Sequence, residues 1–393
     1  MENSQAGVIL HDYFDMQAGG ERVVQKLASC LEWPIVAGFE SHRYVKNIQH
    51  KENARGFSWA RQIQSLHCYQ GLLPFQIMGL IRGFRDRSHL YLGGFYRALY
   101  SGTYAPLGVL KSPAELNIYY CHSPARFVYD QRNFYFSTIP FWQRPVLDYL
   151  IKYFKPLYEN ALSLMDIIIA NSYNVKARLS KYLGRDSVVV HPPCDTSKFR
   201  WQGQEDFYLS TARLDPLKRV DILIEAFKRM PDKKLVVVSD GPEAKKLRLS
   251  AGNAHNIRFL GWVPDERLKE LMGKCIATIY LPRDEDFGIS PVESMASGKP
   301  VIGVQEGGLL ETICDAGTSN SKNLAVDHAS QKNLETSYGL LVKKRPSIND
   351  VIGAVQRLTP QRALEMRDAC EKRAINFDTE VFIEKIKKIV FAV

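Results

Sequence analysis

Short apolar runs alternate with amphipathic stretches in two successive series along this chain of 393 residues. The apolar runs have the length of buried strands, and the amphipathic stretches have the spacing of helices. Parallel strands need crossover connections, so this alternation predicts parallel sheets with helices on their faces. Because residues 194–206 separate the two series, the sequence predicts two Rossmann-like, doubly wound α/β domains. Ligands of such sheets bind beyond the carboxyl ends of the strands.

The predicted domains are an N-terminal one at residues 1–198 and a C-terminal one at 199–375, with a helix at 376–393 that crosses back to the first. The first series predicts a helix at 22–31 and strands at 8–12, 34–39, 117–122, 166–171 and 188–191. The second predicts strands at 207–213, 234–239, 257–260, 276–281 and 300–304. Its predicted helices lie at 220–229, 265–273 and 291–296, followed by closing helices at 349–357, 360–374 and 379–393.

The composition excludes several classes of protein. With 45% hydrophobic and 24% charged residues, the chain is globular rather than disordered over most of its length. The seven cysteines form no C-x-x-C pair, which argues against a zinc site or a disulfide framework. The uncharged stretch at residues 66–81 is too short and too polar to span a membrane, and no secretory leader is recognisable. A cytoplasmic protein is therefore expected.

The net charge of +10 is concentrated in one part of the chain. Residues 41–200 hold 21 basic and nine acidic side chains, whereas residues 201–393 hold 29 and 27. Residues 84–158 also contain 19 of the 43 aromatic residues. This distribution favours a localised anionic partner over general binding of polyanions. No recognised nucleic-acid-binding module is present, so nucleic acid is not an expected partner.

Two glutamates eight residues apart, Glu285 and Glu293, flank a predicted turn and helix start. Gly288 permits a tight turn, Ser290 suits the N-cap, and Pro291 suits the first helical position, which places Glu293 in the first turn. Unpaired N–H groups at such a helix start form an anion site. An anion site between two carboxylates suits a ligand with phosphates in its middle and hydroxyl groups at both ends, such as a nucleotide sugar.

This segment resembles the E-x7-E element of the retaining glycosyltransferases of family four, which have the GT-B fold of two Rossmann-like domains facing across a cleft. The resemblance continues through residues 295–302 and the pair Gly307 and Gly308. It implies that Glu293 binds the ribose hydroxyls and that Glu285 contacts the transferred sugar or supports positive charge at its anomeric carbon. It also implies backbone N–H contacts to sugar and phosphate from Phe287, Gly288, Ile289 and Ser290.

Arg213 and Lys218 follow the first predicted strand of the C-terminal domain and resemble the cations of the family's G-R-L-x-x-x-K element. The resemblance implies that both cations meet the donor diphosphate. Fixed cations stabilise the negative charge that gathers on a leaving diphosphate, and they do so without a metal. Ala212 and Arg219 stand where glycines are usual, but both cations are retained.

Weaker motifs supply further candidate residues. Gly19 and Gly20 resemble the glycine pair that approaches the donor phosphates, and glycine permits close backbone approach. His122 ends a predicted strand, as does a family histidine near the donor sugar and the reacting centre. Arg126 is a candidate for contact with a phosphate or the acceptor.

A predicted loop after the strand at 257–260 resembles the family's bracket around the nucleobase. Gly261, Trp262 and Val263 form this loop, with Leu268 beneath it. Since the family reads the base through backbone contacts, these side chains do not distinguish uracil from guanine. The nearby pair Gly241–Pro242 resembles the family's G-x-G-P turn, has Ser239 in place of the first glycine, and is interpreted as structural.

Residues 284–286 contain a D-x-D pattern, which holds a divalent metal in other transferases. Because the pattern lies inside the E-x7-E element, whose fold works without metal, it is interpreted as coincidental. Neither a metal nor another cofactor is expected.

The leading interpretation is a metal-independent, anomer-retaining hexosyltransferase of the EC 2.4 class. The expected donor is a UDP-sugar such as UDP-glucose, or GDP-mannose, and the expected acceptor is a glycan or lipid-linked glycan of polysaccharide biosynthesis. The expected catalytic residues are His122, Arg213, Lys218 and Glu285. A nucleotide-sugar epimerase of the same architecture is an alternative, as is a non-catalytic sugar- or nucleic-acid-binding homologue. The paired glutamates and the Arg–Lys set favour transfer.

Two segments in the basic, aromatic region, residues 80–85 and 141–144, mix apolar side chains with cations. Such mixtures are typical of interfacial surfaces. They predict peripheral contact with the anionic inner face of a membrane that carries a lipid-linked acceptor. The alternative is that these aromatic residues are core and sugar-stacking groups.

Overall fold

The computed structural model describes residues 7–15, 19–42, 44, 63–70, 73–111, 113–314 and 334–392. The chain divides into two compact units, Met1–His191 with Ile383–Val393 and Pro192–Phe382. The second unit thus begins a few residues earlier, and ends a few residues later, than the sequence predicts.

The first unit is built on a seven-stranded sheet of order β3-β2-β1-β4-β5-β6-β7, in which the described pairs are parallel. Its strands are β1 (Gly7–His11), β2 (Ile35–Ala37), β3 (Ile63–Ser65), β4 (Arg97–Ser101), β5 (Leu116–Cys121), β6 (Ile167–Ala170) and β7 (Val188–Val189). Its α-helices are Gly19–Leu31, Leu73–Arg87, His89–Leu92, Arg132–Thr138, Arg144–Ser163 and Tyr173–Leu183. The carboxyl ends of β1, β4 and β5 place His11, Ser101 and His122 at one edge of the sheet.

The sequence analysis did not predict β4, although this strand lies at the centre of the sheet. Arg97 at its start has the character of a surface residue but is only 5% exposed. Its Nε donates a hydrogen bond of 3.0 Å to the carbonyl oxygen of Val390, and its guanidinium lies over the Tyr96 and Phe391 rings. The end of the closing helix Thr379–Phe391 therefore packs against Arg97 at the start of β4.

The second unit contains a seven-stranded sheet of order β10-β9-β8-β11-β12-β14-β13. Its strands are β8 (Tyr208–Ser210), β9 (Leu235–Val238), β10 (Ile257–Gly261), β11 (Thr278–Ile279), β12 (Val301–Val304), β13 (Leu334–Thr336) and β14 (Gly339–Val342). Its α-helices are Val220–Lys228, Ala244–Ala251, Asp265–Lys274, Ile289–Ala296, Leu309–Thr312, Ile348–Arg357, Pro360–Glu365 and Arg367–Ile375. The predicted doubly wound α/β class is confirmed, with one addition: β13 joins β14 in antiparallel orientation at the sheet edge.

One predicted surface segment lies in the core. Leu80, Ile81 and Phe84, which were expected to face a membrane, are at most 1% exposed and pack against the first sheet. They occupy the inward face of the helix Leu73–Arg87, since residues three and four apart share a face. Within the described ranges, none of the helices has the length and apolar character needed to cross a bilayer.

Candidate functional site

The turn between Glu285 and Glu293 is built around Gly288, which has a φ of +89°. Gly288 is the N-cap of the helix Ile289–Ala296, so the predicted N-cap at Ser290 and helix start at Pro291 are wrong by two residues. As a result, Glu293 lies in the second turn of the helix rather than the first. The cap position is Gly288 rather than Ser290 because the backbone enters the helix in a left-handed conformation, which glycine adopts without strain.

The pair Gly307 and Gly308 explains how this turn is held. A Cβ on Gly307 would lie 2.4 Å from the Glu285 carbonyl oxygen, and one on Gly308 would lie 2.4 Å from Phe287 Cα. The Gly308 N–H also donates to the Glu285 carbonyl oxygen at 2.8 Å. The two glycines therefore let the chain after β12 pack directly on the loop after β11.

Lys218, Tyr280 and Glu285 form a closed hydrogen-bonded triangle at the carboxyl ends of β8 and β11. Lys218 Nζ lies 2.5 Å from Glu285 Oε2 and 2.9 Å from the Tyr280 hydroxyl. The Tyr280 hydroxyl in turn donates to Glu285 Oε2 at 2.9 Å. The sequence analysis singled out Lys218 and Glu285 but missed Tyr280, whose one available signal was its place at the end of a predicted strand.

The triangle keeps its lysine charged. Burial by itself would lower the pKa of Lys218, but the adjacent Tyr280 and Glu285 oxygens outweigh it and raise the pKa above its usual value. Burial also raises the pKa of Tyr280, so its phenol keeps its proton at neutral pH. The site therefore presents a permanent cation beside two oxygen groups.

The loop that carries Lys218 is compact. The Asp215 carboxylate accepts a hydrogen bond of 2.9 Å from the Leu217 N–H and begins a single 3₁₀ turn that ends at Lys218. A Cβ on Gly241 would meet the Leu214 carbonyl oxygen at 2.4 Å, which accounts for glycine in that neighbouring turn. The side chain of Arg213, at the start of the loop, is exposed.

Residues of the helix start differ in what they can offer a ligand. The Phe287 ring is 3% exposed and packs edge-on against Phe377, with ring centroids 5.5 Å apart, so its side chain belongs to the core. Glu293 is 8% exposed. Ile289 and Ser290 are partly exposed. Contacts from Phe287 to a ligand are thus restricted to its backbone, as the resemblance implies.

The predicted base-bracketing loop follows β10. Gly261 has a φ of +70°, and the Trp262 ring beside it is 75% exposed. Val263 and Leu268 are partly buried and pack on a small apolar cluster around Leu271. The Trp262 side chain is therefore exposed at the surface, while the packed side chains of Val263 and Leu268 anchor its loop.

In the first unit, His122 and Gly20 come together. A Cβ on Gly20 would lie 3.9 Å from His122 Cε1 and Nε2, whereas one on Gly19 would meet nothing within 4 Å among the described residues. The helix Gly19–Leu31 thus starts over His122. Packing within the described residues does not require glycine at either position, and a role of the pair in ligand binding stays a prediction.

Hydrogen bonds through Ser101, which the sequence analysis missed, hold His122 in place. Its Nε2 lies 2.8 Å from Ser101 Oγ, and the Ser101 carbonyl oxygen lies 3.0 Å from His11 Nδ1. Burial and the nearby His11 lower the pKa of His122 to about 3, and burial lowers the pKa of His11 to about 4. Both imidazoles are neutral at pH 7, so His122 is suited to hydrogen bonding rather than to charge stabilisation. No short motif marks His11 or Ser101.

Arg126 is engaged within the protein. Its Nη2 lies 2.8 Å from Asp130 Oδ2, and the two side chains are 13% and 14% exposed. Arg178 Nε lies 3.6 Å from the same carboxylate oxygen. Contact between Arg126 and an acceptor stays a prediction. An acceptor would have to bind Arg126 while the arginine is paired with Asp130.

Comparisons with known proteins bear on the family and the fold. Residues 195–376 match the family model described as glycosyl transferases group 1. An uncharacterized glycosyltransferase of Methanocaldococcus jannaschii is 31% identical over 160 residues, which are 40% of this chain and 45% of that protein. An alpha-1,3/1,6-mannosyltransferase of Mus musculus is 25% identical over 231 residues, 50% of this chain and 53% of that protein. The matches thus span about half the length of these curated relatives.

A solved structure of the Anabaena protein HepE in complex with UDP-glucose matches 98% of this chain and 100% of its own. Its TM-score is 0.67 at 15% identity, so the likeness shows the fold alone. The predicted GT-B architecture is confirmed by such matches. Residues 195–376, just under half of the chain, are therefore similar to the glycosyl transferases group 1 family, and the fold of the chain is that of the GT-B glycosyltransferases.

Proposed function

We propose that this protein is a metal-independent, anomer-retaining hexosyltransferase that moves a sugar from a nucleotide-sugar donor to a glycan or lipid-linked glycan. The observation that carries the proposal is the triangle of Lys218, Tyr280 and Glu285 beside the helix start at Gly288. The Lys218 ammonium and the N–H groups of a helix start are two independent sets of hydrogen-bond donors for a diphosphate.

We assign the donor to the second unit. The diphosphate binds Lys218, the exposed guanidinium of Arg213 and N–H groups of the helix start, while Glu293 binds the ribose hydroxyls. The nucleobase lies in the loop 261–263, with the exposed Trp262 ring as an apolar wall. Aromatic rings stack on bases through their π-faces and tolerate different bases, so this wall suits uracil and guanine alike.

The proposed chemistry is substitution at the anomeric carbon with retention. The bond between that carbon and the diphosphate oxygen breaks, and its electron pair leaves with the nucleoside diphosphate. Lys218 and Arg213 stabilise the departing charge, and Glu285 supports the positive charge left on the sugar. An acceptor hydroxyl then attacks from the face that the diphosphate leaves, and its proton passes to the departing phosphate.

In the first unit we assign His122 to a hydrogen bond with the transferred sugar. Its neutral imidazole, fixed through Ser101, suits a sugar hydroxyl better than a phosphate. The open space at Gly19 and the short distance from Gly20 to His122 support close approach of the donor to this helix start.

Two of the comparisons support the choice of donor that we propose. One structural neighbour is described with UDP-glucose and one relative as a mannosyltransferase. We therefore propose UDP-glucose or GDP-mannose as donors, with the acceptor in polysaccharide biosynthesis.

We also propose that the acceptor is presented at the inner face of a membrane. Phe141 is 79% exposed, Trp142 64% and Tyr149 65%, and all three lie at or near the start of the helix Arg144–Ser163. Exposed aromatic residues of this size beside Arg144 and Lys152 suit an anionic interface.

A two-step experiment tests the function. Thermal unfolding with UDP, GDP and ADP identifies the nucleotide, because a ligand of the native state raises the midpoint with its concentration. Release of that nucleotide from candidate donors is then measured with and without EDTA. Stabilisation by one nucleotide and acceptor-dependent, EDTA-resistant release are expected. Interconversion of nucleotide sugars without release of the nucleotide would instead indicate an epimerase. Loss of nucleotide release in the presence of EDTA would contradict the proposed metal independence.

A further inference from the structure

A cavity of about 650 Å³, lined mainly by charged residues, lies at the carboxyl edge of the second sheet. It is formed where the chain leaves β8, β11, β12 and β14. Six of the residues that line it are charged: Arg219, Arg283, Lys344, Arg345, Asp284 and Glu306. Four cations against two carboxylates give the cavity a net positive charge.

One wall of the cavity is an internal ion pair. Arg219 Nη2 lies 2.9 Å from Glu306 Oε1, which also accepts a hydrogen bond of 2.9 Å from the Asp284 N–H. The side chains of Arg219 and Glu306 are 10% and 3% exposed, so the pair is fixed in place. These contacts neutralise Arg219 and tie the loops after β8, β11 and β12 together.

The other three cations face solvent. Arg283, Lys344 and Arg345 are exposed, and within the part of the chain that the structure describes none has a carboxylate in ion-pair distance. Two helices, Val220–Lys228 and Ile348–Arg357, also begin beside the cavity. Each of them has an aspartate in its first turn, Asp221 and Asp350, which offsets the positive potential of its N-terminus, so the three side chains supply most of the positive charge.

The cavity is separate from the candidate donor site. Lys218 and Arg219 are consecutive, yet the first pairs with Glu285 and the second with Glu306. None of the residues assigned above to the diphosphate, ribose or base lines the cavity. The assignments made above therefore do not account for its charge.

We infer that this cavity binds a small phosphate-bearing molecule, such as a sugar phosphate or an inorganic polyphosphate, as a second anion site. Charge-assisted hydrogen bonds from two arginines and a lysine suit phosphate oxygens. The volume is in the range of small-molecule sites.

Isothermal titration with inorganic pyrophosphate, in the full-length protein saturated with the nucleotide that stabilises it, tests the site. One pyrophosphate per chain is expected to bind in spite of the nucleotide. The variant Arg283→Gln/Lys344→Gln/Arg345→Gln should weaken this binding by about 30-fold or more, since it removes three charged donors. The control Lys245→Gln/Arg357→Gln/Lys372→Gln removes the same charge from exposed positions outside the cavity and should change binding less than about threefold.

Three outcomes would overturn the inference. The first is displacement of all pyrophosphate by the nucleotide, which would reduce the two sites to one. The second is an equal loss in both triple variants, which would indicate a general field effect. The third is binding to phosphatidic acid vesicles without any binding of pyrophosphate, which would assign the cations to a lipid surface. If no nucleotide binds, the same two variants are compared without it, so failure of the proposed transfer reaction does not decide this test.

Discussion

Lys218 Nζ and Glu285 Oε2, which belong to loops after two adjacent strands, lie 2.5 Å apart. The ion pair is three-quarters buried or more and is closed by the Tyr280 hydroxyl. A lysine held in this way is positioned before a ligand arrives, so little side-chain freedom is lost when a diphosphate binds. The same contact keeps Glu285 next to the position where a sugar attached to that diphosphate would lie.

Replacement of Lys218 by alanine should lower kcat by about 10²–10³-fold, because the variant loses the cation that stabilises the leaving diphosphate. Steady-state kinetics with the identified donor measures the effect. Lys246→Ala is the matched control, since Lys246 pairs with Glu243 at an exposed position and should retain normal turnover. A Lys218→Ala enzyme with unchanged kcat and KM would remove Lys218 from the mechanism.

Trp262→Ala should raise the KM for the donor by about five- to 100-fold and leave kcat nearly unchanged, since base stacking contributes about 1–3 kcal/mol. The ring is 75% exposed, so its removal creates no cavity and the midpoint of thermal unfolding should not move. Leu249, which is 72% exposed on the helix Ala244–Ala251, supplies the control Leu249→Ala. Equal KM values in both variants would contradict the stacking role.

Ser239→Gly should increase stability by about 0.5–1 kcal/mol, because the serine has a φ of +102°, which L-residues with a side chain adopt at a cost. Chemical denaturation followed by circular dichroism measures this change. Ser239→Ala retains the unfavourable backbone and should bring no gain. A destabilised Ser239→Gly variant would show that the hydroxyl contributes more than the backbone costs.

The fold was largely predictable from the sequence because buried parallel strands and amphipathic helices have distinct spacings. The strand β4 was missed because Arg97 and Ser101 limit its apolar run to the three residues 98–100, although packing against Val390 and Phe391 buries Arg97. The membrane-facing interpretation of residues 80–85 was wrong for a related reason, since their cations lie on the outer face of a helix whose apolar residues are core.

The candidate site was predictable only where a motif carries it. Lys218 and Glu285 were identified through the family resemblance, and the structure brings them into contact. Tyr280 and Ser101 act as hydrogen-bonding partners at strand ends, where many residue types occur, so spacing gives no indication of them. Ser239 and Arg219 stand where glycines are usual, and their φ values of +102° and +52° give the physical reason for that usage.

The first unit should lose stability on acidification partly through His122. The native pKa of about 3 is below the ordinary value of 6.5, so the unfolded state binds the proton first and stability falls as the pH drops from 6.5 toward 3. Between pH 6 and 5 this costs about 1 kcal/mol. His122→Gln should therefore lose about that much less than the wild type over the same interval, measured by urea denaturation. Parallel pH profiles for the two proteins would contradict a neutral His122 in the native state.

Membrane contact should depend on the exposed aromatic residues Phe141 and Trp142, which are 79% and 64% exposed. Flotation with vesicles that contain anionic lipid measures it. The wild type should co-float and be released by salt, because the neighbouring cations are screened within about a Debye length. Phe141→Ser/Trp142→Ser should reduce the bound fraction by about tenfold or more, since two large apolar side chains no longer enter the interface.

The control variant Leu249→Ser/Ile375→Ser removes two other exposed apolar side chains, 72% and 58% exposed, and should float like the wild type. Equal losses in both double variants would show general hydrophobic adsorption, and a wild type that stays unbound would exclude the membrane as the place where the acceptor is met.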